Sequence, residues 1–129
     1  MVIDCSAPYD KITTSGSNIV SQQDHPSTNY DNNKDCQLTF ELAADRFITI
    51  KFTAFNLETA TNCRYDYVRF WKESISGAEI GTKRCGRTIP MTIQADTNKV
   101  YMQFFTDYSV TRSGFRIQML GENSLFMLN

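Results

Sequence analysis

Few of the residues that serve a compact metal or redox site are present. The chain has one histidine, His25, and four cysteines, none of them in a CxxC pair. That excludes a zinc knuckle and a thioredoxin-like motif, whose sulfurs must sit within a few residues of one another. No apolar run approaches the roughly 18 residues of a transmembrane helix. No N-x-S/T sequon occurs, so N-glycosylation is not expected. Neither sign of charge dominates, with 13 Lys and Arg against 14 Asp and Glu and a net charge of −1. There is therefore no general basic field to recruit nucleic acid. Helical periodicity is missing too, since no window keeps an apolar repeat of about 3.6 residues over three turns. Met1-Val2-Ile3-Asp4 is too short and too acidic for a signal peptide, so a secreted protein is expected here in mature form.

What is present is a chain of 129 residues, 41% hydrophobic and 21% charged. One domain with a sizeable core is expected. Its regular segments alternate with period two. Cys36, Leu38, Phe40 and Leu42 share one face, with Gln37, Thr39 and Glu41 opposite; Ile48, Ile50 and Phe52 oppose Thr49, Lys51 and Thr53 within Phe47 to Phe55. Tyr67 to Lys72, Glu79 to Arg84, Met91 to Gln94, Lys99 to Thr106 and Gly114 to Leu120 read likewise. Short strands divided by turn residues predict an all-β sandwich or barrel. Connections this short predict antiparallel pairing. The first 35 residues, rich in Ser, Thr, Asn and Asp, read as loop joining short edge strands. Ser124 to Leu128 is an apolar tail beyond the last strand, suited to packing, to a partner or to self-association.

An even number of widely spaced cysteines, Cys5, Cys36, Cys63 and Cys85, predicts two disulfides formed in an oxidising compartment. Three connectivities are open on the sequence alone. Sequential pairing would close loops of about twenty to thirty residues, each stabilising by about 3–4 kcal/mol in the chain-entropy model.

The segment Glu58 to Asp66, ETATNCRYD, sets two carboxylates around Cys63, and Asp107 follows an apolar strand. If the fold gathers Glu58, Asp66 and Asp107, their mutual repulsion calls for a cation. With only oxygen donors on offer, a hard ion such as calcium is the candidate. Taken singly, the ordinary roles are a turn cap for Asp66, a strand end for Asp107 and a solvated surface position for Glu58.

The order of motifs resembles the CUB domain, an extracellular β-sandwich module. Cys5, Gly16, Ile19-Val20-Ser21, Pro26 and Tyr30 begin the match. Ile50 to Glu58 resembles the family's I-x-F-x-x-F-x-L-E strand, Cys63 to Val68 its C-x-Y-D-Y-V, and Cys85-Gly86 with Pro90 its C-G-x-x-x-P. Phe104 to Ser109 and Gly114-Phe115 match its final F-x-x-D-x-S and G-F. Two positions depart from the pattern. Leu38 stands where an aromatic is usual, and Trp71-Lys72-Glu73 replaces an acidic-Gly turn, which predicts a longer turn and a partly exposed Trp71.

The resemblance implies a jelly-roll-like antiparallel sandwich with disulfides Cys5–Cys36 and Cys63–Cys85. It divides the chain into an extension (1–4), the CUB domain (5–122) and a tail or linker (123–129). It also implies a calcium ion held by Glu58, Asp66 and Asp107, completed by carbonyls around Ser109 and Val110 and by water. Such a site is expected to be exposed and of modest affinity. A partner Lys or Arg would then reach Glu58 and Asp107 beside the ion, with Tyr65 or Tyr108 as an aromatic wall. One such contact is weak, so avidity from several copies or an oligomer would be needed.

The expected function is that of a secreted, non-catalytic module that binds proteins. Two alternatives stand beside it: a metal-free lectin-like protein resembling spermadhesins that binds glycans or glycosaminoglycans, and a structural module self-associating through its tail. His25 reads as a surface residue, because a catalytic triad would need it near a serine on a rigid element. Glu58 and Asp66 as a glycosidase pair lack an aromatic-lined cleft. Lys83, Arg84 and Arg87 form a small basic cluster that reads first as a solvated edge.

Overall fold

A computed structural model describes residues 1–123; the apolar tail Ser124 to Leu128 lies outside the described residues. Eight strands form two four-stranded sheets. They are β1 (Lys11–Ile12), β2 (Ser17–Val20), β3 (Asp35–Glu41), β4 (Arg46–Asn56), β5 (Tyr67–Lys72), β6 (Ile93–Ala95), β7 (Lys99–Phe105) and β8 (Gly114–Asn123). One sheet runs β1-β3-β7-β5 and the other β2-β8-β4-β6. The only helical element among the described residues is a 3-10 turn, Thr61–Cys63.

Period-two alternation supplies the core. Leu38 and Phe40 of β3, Met102 and Phe104 of β7, and Phe115 and Ile117 of β8 are all buried. Edge-to-face pairs knit the sheets together: Phe104 with Phe115 at 4.9 Å and Phe52 with Phe70 at 5.9 Å. On β4, Phe52 and Phe55 are both buried although three residues apart. A bulge between Phe52 and Ala54 shifts the register by one and turns Phe55 inward. Gly114 opens β8 at φ +90, and a Cβ there would lie 1.9 Å from the Ser21 hydroxyl oxygen. That approach lets Ser21 accept the Phe115 N–H at 3.0 Å, fastening β8 to the chain beyond β2.

Both disulfides are present, Cys5–Cys36 and Cys63–Cys85. The pairing is antiparallel save at the N-terminal segment, where β1 runs parallel to β3 and Val2 bridges Val20 in parallel. The expectation from short connections fails there because the chain between β1 and β3 first visits the other sheet as β2. Ile3 is buried and its N–H bonds the Val20 carbonyl at 3.1 Å, so the first residues pack on the sandwich.

Three local expectations are corrected. Glu79 to Arg84 is not a strand; it makes isolated bridges to β5, Trp71 to Glu79 and Val68 to Arg84, and no continuous ladder, because Gly81 at φ +71 breaks the extended run. Met91 to Gln94 shortens to a strand beginning at Ile93, with Met91 left 88% exposed. Trp71 is buried, not partly exposed, since the Arg69 guanidinium lies 4.7 Å over its ring and Tyr101 packs against its edge. The turn after it is long, as its departure from the motif predicts, and Lys72 N–H reaches the Ala78 carbonyl at 2.8 Å.

Candidate metal centre

β5 and β7 are hydrogen-bonded neighbours with Tyr67 opposite Phe105. Asp66 directly precedes β5 and Asp107 shortly follows β7, so antiparallel register alone makes them adjacent. Glu58 arrives from the end of β4 through Leu57, which is buried and donates its N–H to the Gly86 carbonyl at 2.9 Å. Between Glu58 and Asp66 the chain makes its 3-10 turn, with Asn62 and Cys63 both left-handed at φ 57 and 48. The Cys63–Cys85 bond fastens that turn.

One carboxylate oxygen from each of Glu58, Asp66 and Asp107 lies within 4.8 Å of the other two. Asp66 is fully buried. Its Oδ2 accepts the Tyr30 hydroxyl at 2.6 Å and its Oδ1 accepts the Asp107 N–H at 3.0 Å. The Tyr30 oxygen in turn accepts the Glu58 N–H at 3.1 Å. One phenol therefore joins two of the three acids. Burial, then the bond to Asp66, pushes the Tyr30 pKa far up, so it stays a neutral donor.

The carboxylates are under strain of charge. Burial first, then the nearby Asp66 and Asp107, raises the Glu58 pKa. Burial also raises that of Asp66, against the hydrogen bonds from Tyr30 and the Asp107 backbone that favour its anion. Glu58 Oε1 is buried with no hydrogen-bond partner in the protein. A buried carboxylate oxygen with no donor is costly. An all-oxygen, multiply charged donor set containing such an atom fits a hard divalent cation of calcium's kind.

A CUB domain family model matches residues 5–119. The chain belongs to the CUB domain family. Human cubilin is 36% identical over 102 residues, covering 79% of this chain and 3% of cubilin. Protein SpAN of Strongylocentrotus purpuratus is 34% identical over 113 residues, covering 88% of this chain and 17% of SpAN. The chain thus spans a few per cent of the cubilin relatives' length. Among solved structures, the full extracellular region of zebrafish Gpr126/Adgrg6 superposes with a TM-score of 0.77 at 27% identity, covering 92% of this chain and 15% of that one. The MASP-1 CUB2 domain bound to Ca2+ superposes with a TM-score of 0.75 at 25% identity, covering 90% of this chain and 99% of that one.

Within this CUB domain the remaining site residues fall out differently. The Ser109 N–H donates to Asp107 Oδ1 at 3.3 Å, so Ser109 belongs to the same loop cluster. Val110 follows with φ 66, a conformation a β-branched residue rarely adopts, which bends the loop sharply there. Tyr108 is 79% exposed, whereas Tyr65 is half-buried with the Arg64 guanidinium 4.9 Å from its ring centroid. The expectation of an exposed site needs correction, because Asp66 is fully enclosed and Glu58 and Asp107 are half-buried. Tyr30 is the residue whose part at the site sequence reasoning missed. Its signal was a lone aromatic four residues after Pro26 in an otherwise polar stretch.

Proposed function

We propose that this CUB domain is an extracellular, non-catalytic module that binds protein partners through a calcium-organised acidic site. Glu58, Asp66 and Asp107 hold the ion, and backbone oxygen from the Ser109–Val110 loop completes its shell. The observation that carries this reading is the buried, donorless Glu58 Oε1 amid three converging carboxylates. The Ca2+-bound state of the similar MASP-1 CUB2 domain supports it. Both cysteine pairs are oxidised, which agrees with an extracellular setting. In this reading the domain comprises residues 5–122, with 1–4 as an extension packed on β2 and 123–129 as a tail.

Bound calcium would neutralise the mutual repulsion of the acids. Asp66, wholly buried and already accepting two hydrogen bonds, serves only the inner side. Glu58 and Asp107 stay partly accessible, and their outward oxygens accept charge-assisted hydrogen bonds from a partner's Lys or Arg. Tyr108 offers an exposed ring beside that point. All four cysteines are disulfide-bonded, and His25 lines a separate groove with Arg116 and Thr53.

Thermal unfolding of the oxidised protein tests the site. Calcium at about a hundred times its dissociation constant should stabilise by about 2.7 kcal/mol. That corresponds to a melting-temperature rise of roughly 5–15 °C over EDTA. Asp107→Ala should abolish the rise. A wild type that melts at the same temperature in both buffers would sink the proposal.

The direction of the pKa shifts sets the pH dependence. An acid whose pKa is raised in the folded state takes up protons more readily there than when unfolded. The calcium-free protein should therefore gain stability from Glu58 and Asp66 as pH falls from neutrality towards the ordinary carboxylate range. Protons compete with calcium in that same window, so the calcium-induced rise in melting temperature should shrink. Melts at a series of pH values check this; an increment that grows on acidification would contradict it.

A further inference from the structure

The bulge in β4 does more than turn Phe55 into the core. With Phe52 and Phe55 both buried, the two residues between them, Thr53 and Ala54, fall in succession on the outer face of the sheet. Both side chains are small, which leaves room beside them. Arg116 of β8 stands at that gap, opposite Ala54 of β4 on one side and Val20 of β2 on the other. The result is an open groove of about 350 Å³, with Arg116, His25 and Thr53 among its polar walls and Val20, Ala54 and Pro26 as its apolar ones.

The loop that carries His25 is held in place. The Gln22 side-chain amide donates to the Thr28 and Ser113 carbonyls, both at 2.8 Å, and the Ser27 N–H donates to the Asp24 carbonyl at 2.8 Å. The charge in the groove is uncompensated. The close ion pairs among the described residues are Lys11–Glu41, Arg69–Glu79 and Lys72–Asp96, and Arg116 is in none of them. No carboxylate among the described residues lines the groove; Asp24 precedes His25 but is exposed and outside the lining. Burial first, then the charge of Arg116, lowers the His25 pKa, so at neutral pH an uncharged ring stands beside a full cation.

One cation and one neutral imidazole call for a monoanion. The fork says which. A guanidinium presents two parallel N–H donors that match the two oxygens of a planar carboxylate. A phosphate monoester would bring a second charge that nothing in the groove neutralises. The walls narrow the choice again. A glutamate side chain sets two methylenes between its carboxylate and its peptide group, and these suit Val20, Ala54 and Pro26. A chain-terminal carboxylate sits one carbon from its amide, which apolar walls would leave unsatisfied. We propose that this groove receives a glutamate side chain from an acidic segment of a partner protein, with the Arg116 guanidinium gripping the carboxylate, His25 adding one hydrogen bond and the apolar walls covering the stem.

None of Glu58, Asp66 or Asp107 lines the groove, so this inference stands or falls apart from the calcium reading. The probe is an N-acetylated, C-amidated peptide of alternating glycine and glutamate, titrated by nuclear magnetic resonance into the oxidised protein in EDTA and again in calcium. Binding is expected in both buffers, with the largest shifts at Arg116, His25 and Val20, and should weaken as sodium chloride screens the exposed charges. Arg116→Gln should lower the affinity about tenfold. Arg116→Lys keeps the charge without the fork and should recover only part of that loss. Arg46→Gln removes the same charge from the far end of β4 and should bind as the wild type does. Thermal melting of each variant checks that it is folded. Absence of binding, equal binding of the peptide with glutamine in place of glutamate, an Arg116→Lys variant as tight as the wild type, or tighter binding of a neutral peptide with a free C-terminal carboxylate would each overturn the proposal.

Discussion

Replacing Asp66 by alanine is expected to destabilise the protein by about 3 kcal/mol in EDTA and to remove its response to calcium altogether. Two hydrogen bonds end on this buried carboxylate, one from the Tyr30 hydroxyl and one from the Asp107 N–H. Alanine takes the acceptor away from both donors, and an unsatisfied buried donor costs about 1–3 kcal/mol. Relief of repulsion from Glu58 and Asp107 offsets part of that loss. Asp66→Asn separates the two contributions. Its single carbonyl oxygen can satisfy Tyr30 or the Asp107 N–H but not both, and its amide then opposes the other donor. We expect an intermediate loss of stability in EDTA and, again, no calcium response. Urea unfolding of the three proteins with and without calcium measures this. An alanine variant as stable as the wild type would mean that Asp66 is not the keystone of the loop cluster. A variant that still responds to calcium would mean that it is not a ligand.

The contrast between Asp66 and its two companions shows what the sequence could tell. Strand alternation was legible because each strand of the sandwich buries one face, and Cys36, Leu38 and Phe40 sit where period two puts them. The acidic set was legible because register converts two strand ends into neighbours, and Tyr67 opposite Phe105 does that for Asp66 and Asp107. Burial of the site was not legible. It depends on Tyr30 reaching across from a loop, with its N–H held by the Arg112 carbonyl at 3.1 Å and its ring packed edge-on against Phe104 at 5.3 Å. A lone aromatic in a polar segment marks Tyr30 as an anchor, but it does not say which residues, so far away in the chain, the ring and hydroxyl reach. Trp71 escaped for a related reason. Its cover comes from Arg69 on its own strand and Tyr101 on the next, so a reading of the turn alone exposed it.

Removing either disulfide should cost nearly the same stability but very different amounts of calcium affinity. The bonded cysteines are 31 and 22 residues apart. In the chain-entropy model each bond then stabilises by about 3–4 kcal/mol, the longer loop slightly more. Their positions differ in kind. Cys63 lies within the loop that runs from Glu58 to Asp66, and its bond to Cys85, outside that loop, holds a turn with two successive left-handed residues, neither of them glycine. Such a conformation persists only where its surroundings enforce it. Without the bond the turn can relax, Glu58 is freed from Asp66, and the ion must restore their order at its own expense. Cys5–Cys36 ties the N-terminal segment to β3. It shares a groove with Tyr30, but Tyr30 is anchored independently through Arg112 and Phe104. Paired alanine variants should therefore both melt lower in EDTA. The Cys5–Cys36 variant should keep its calcium-induced rise, while the Cys63–Cys85 variant should lose most of it. Equal increments in the two would show that the 3-10 turn does not position Glu58, and that the three acids converge through the strands alone.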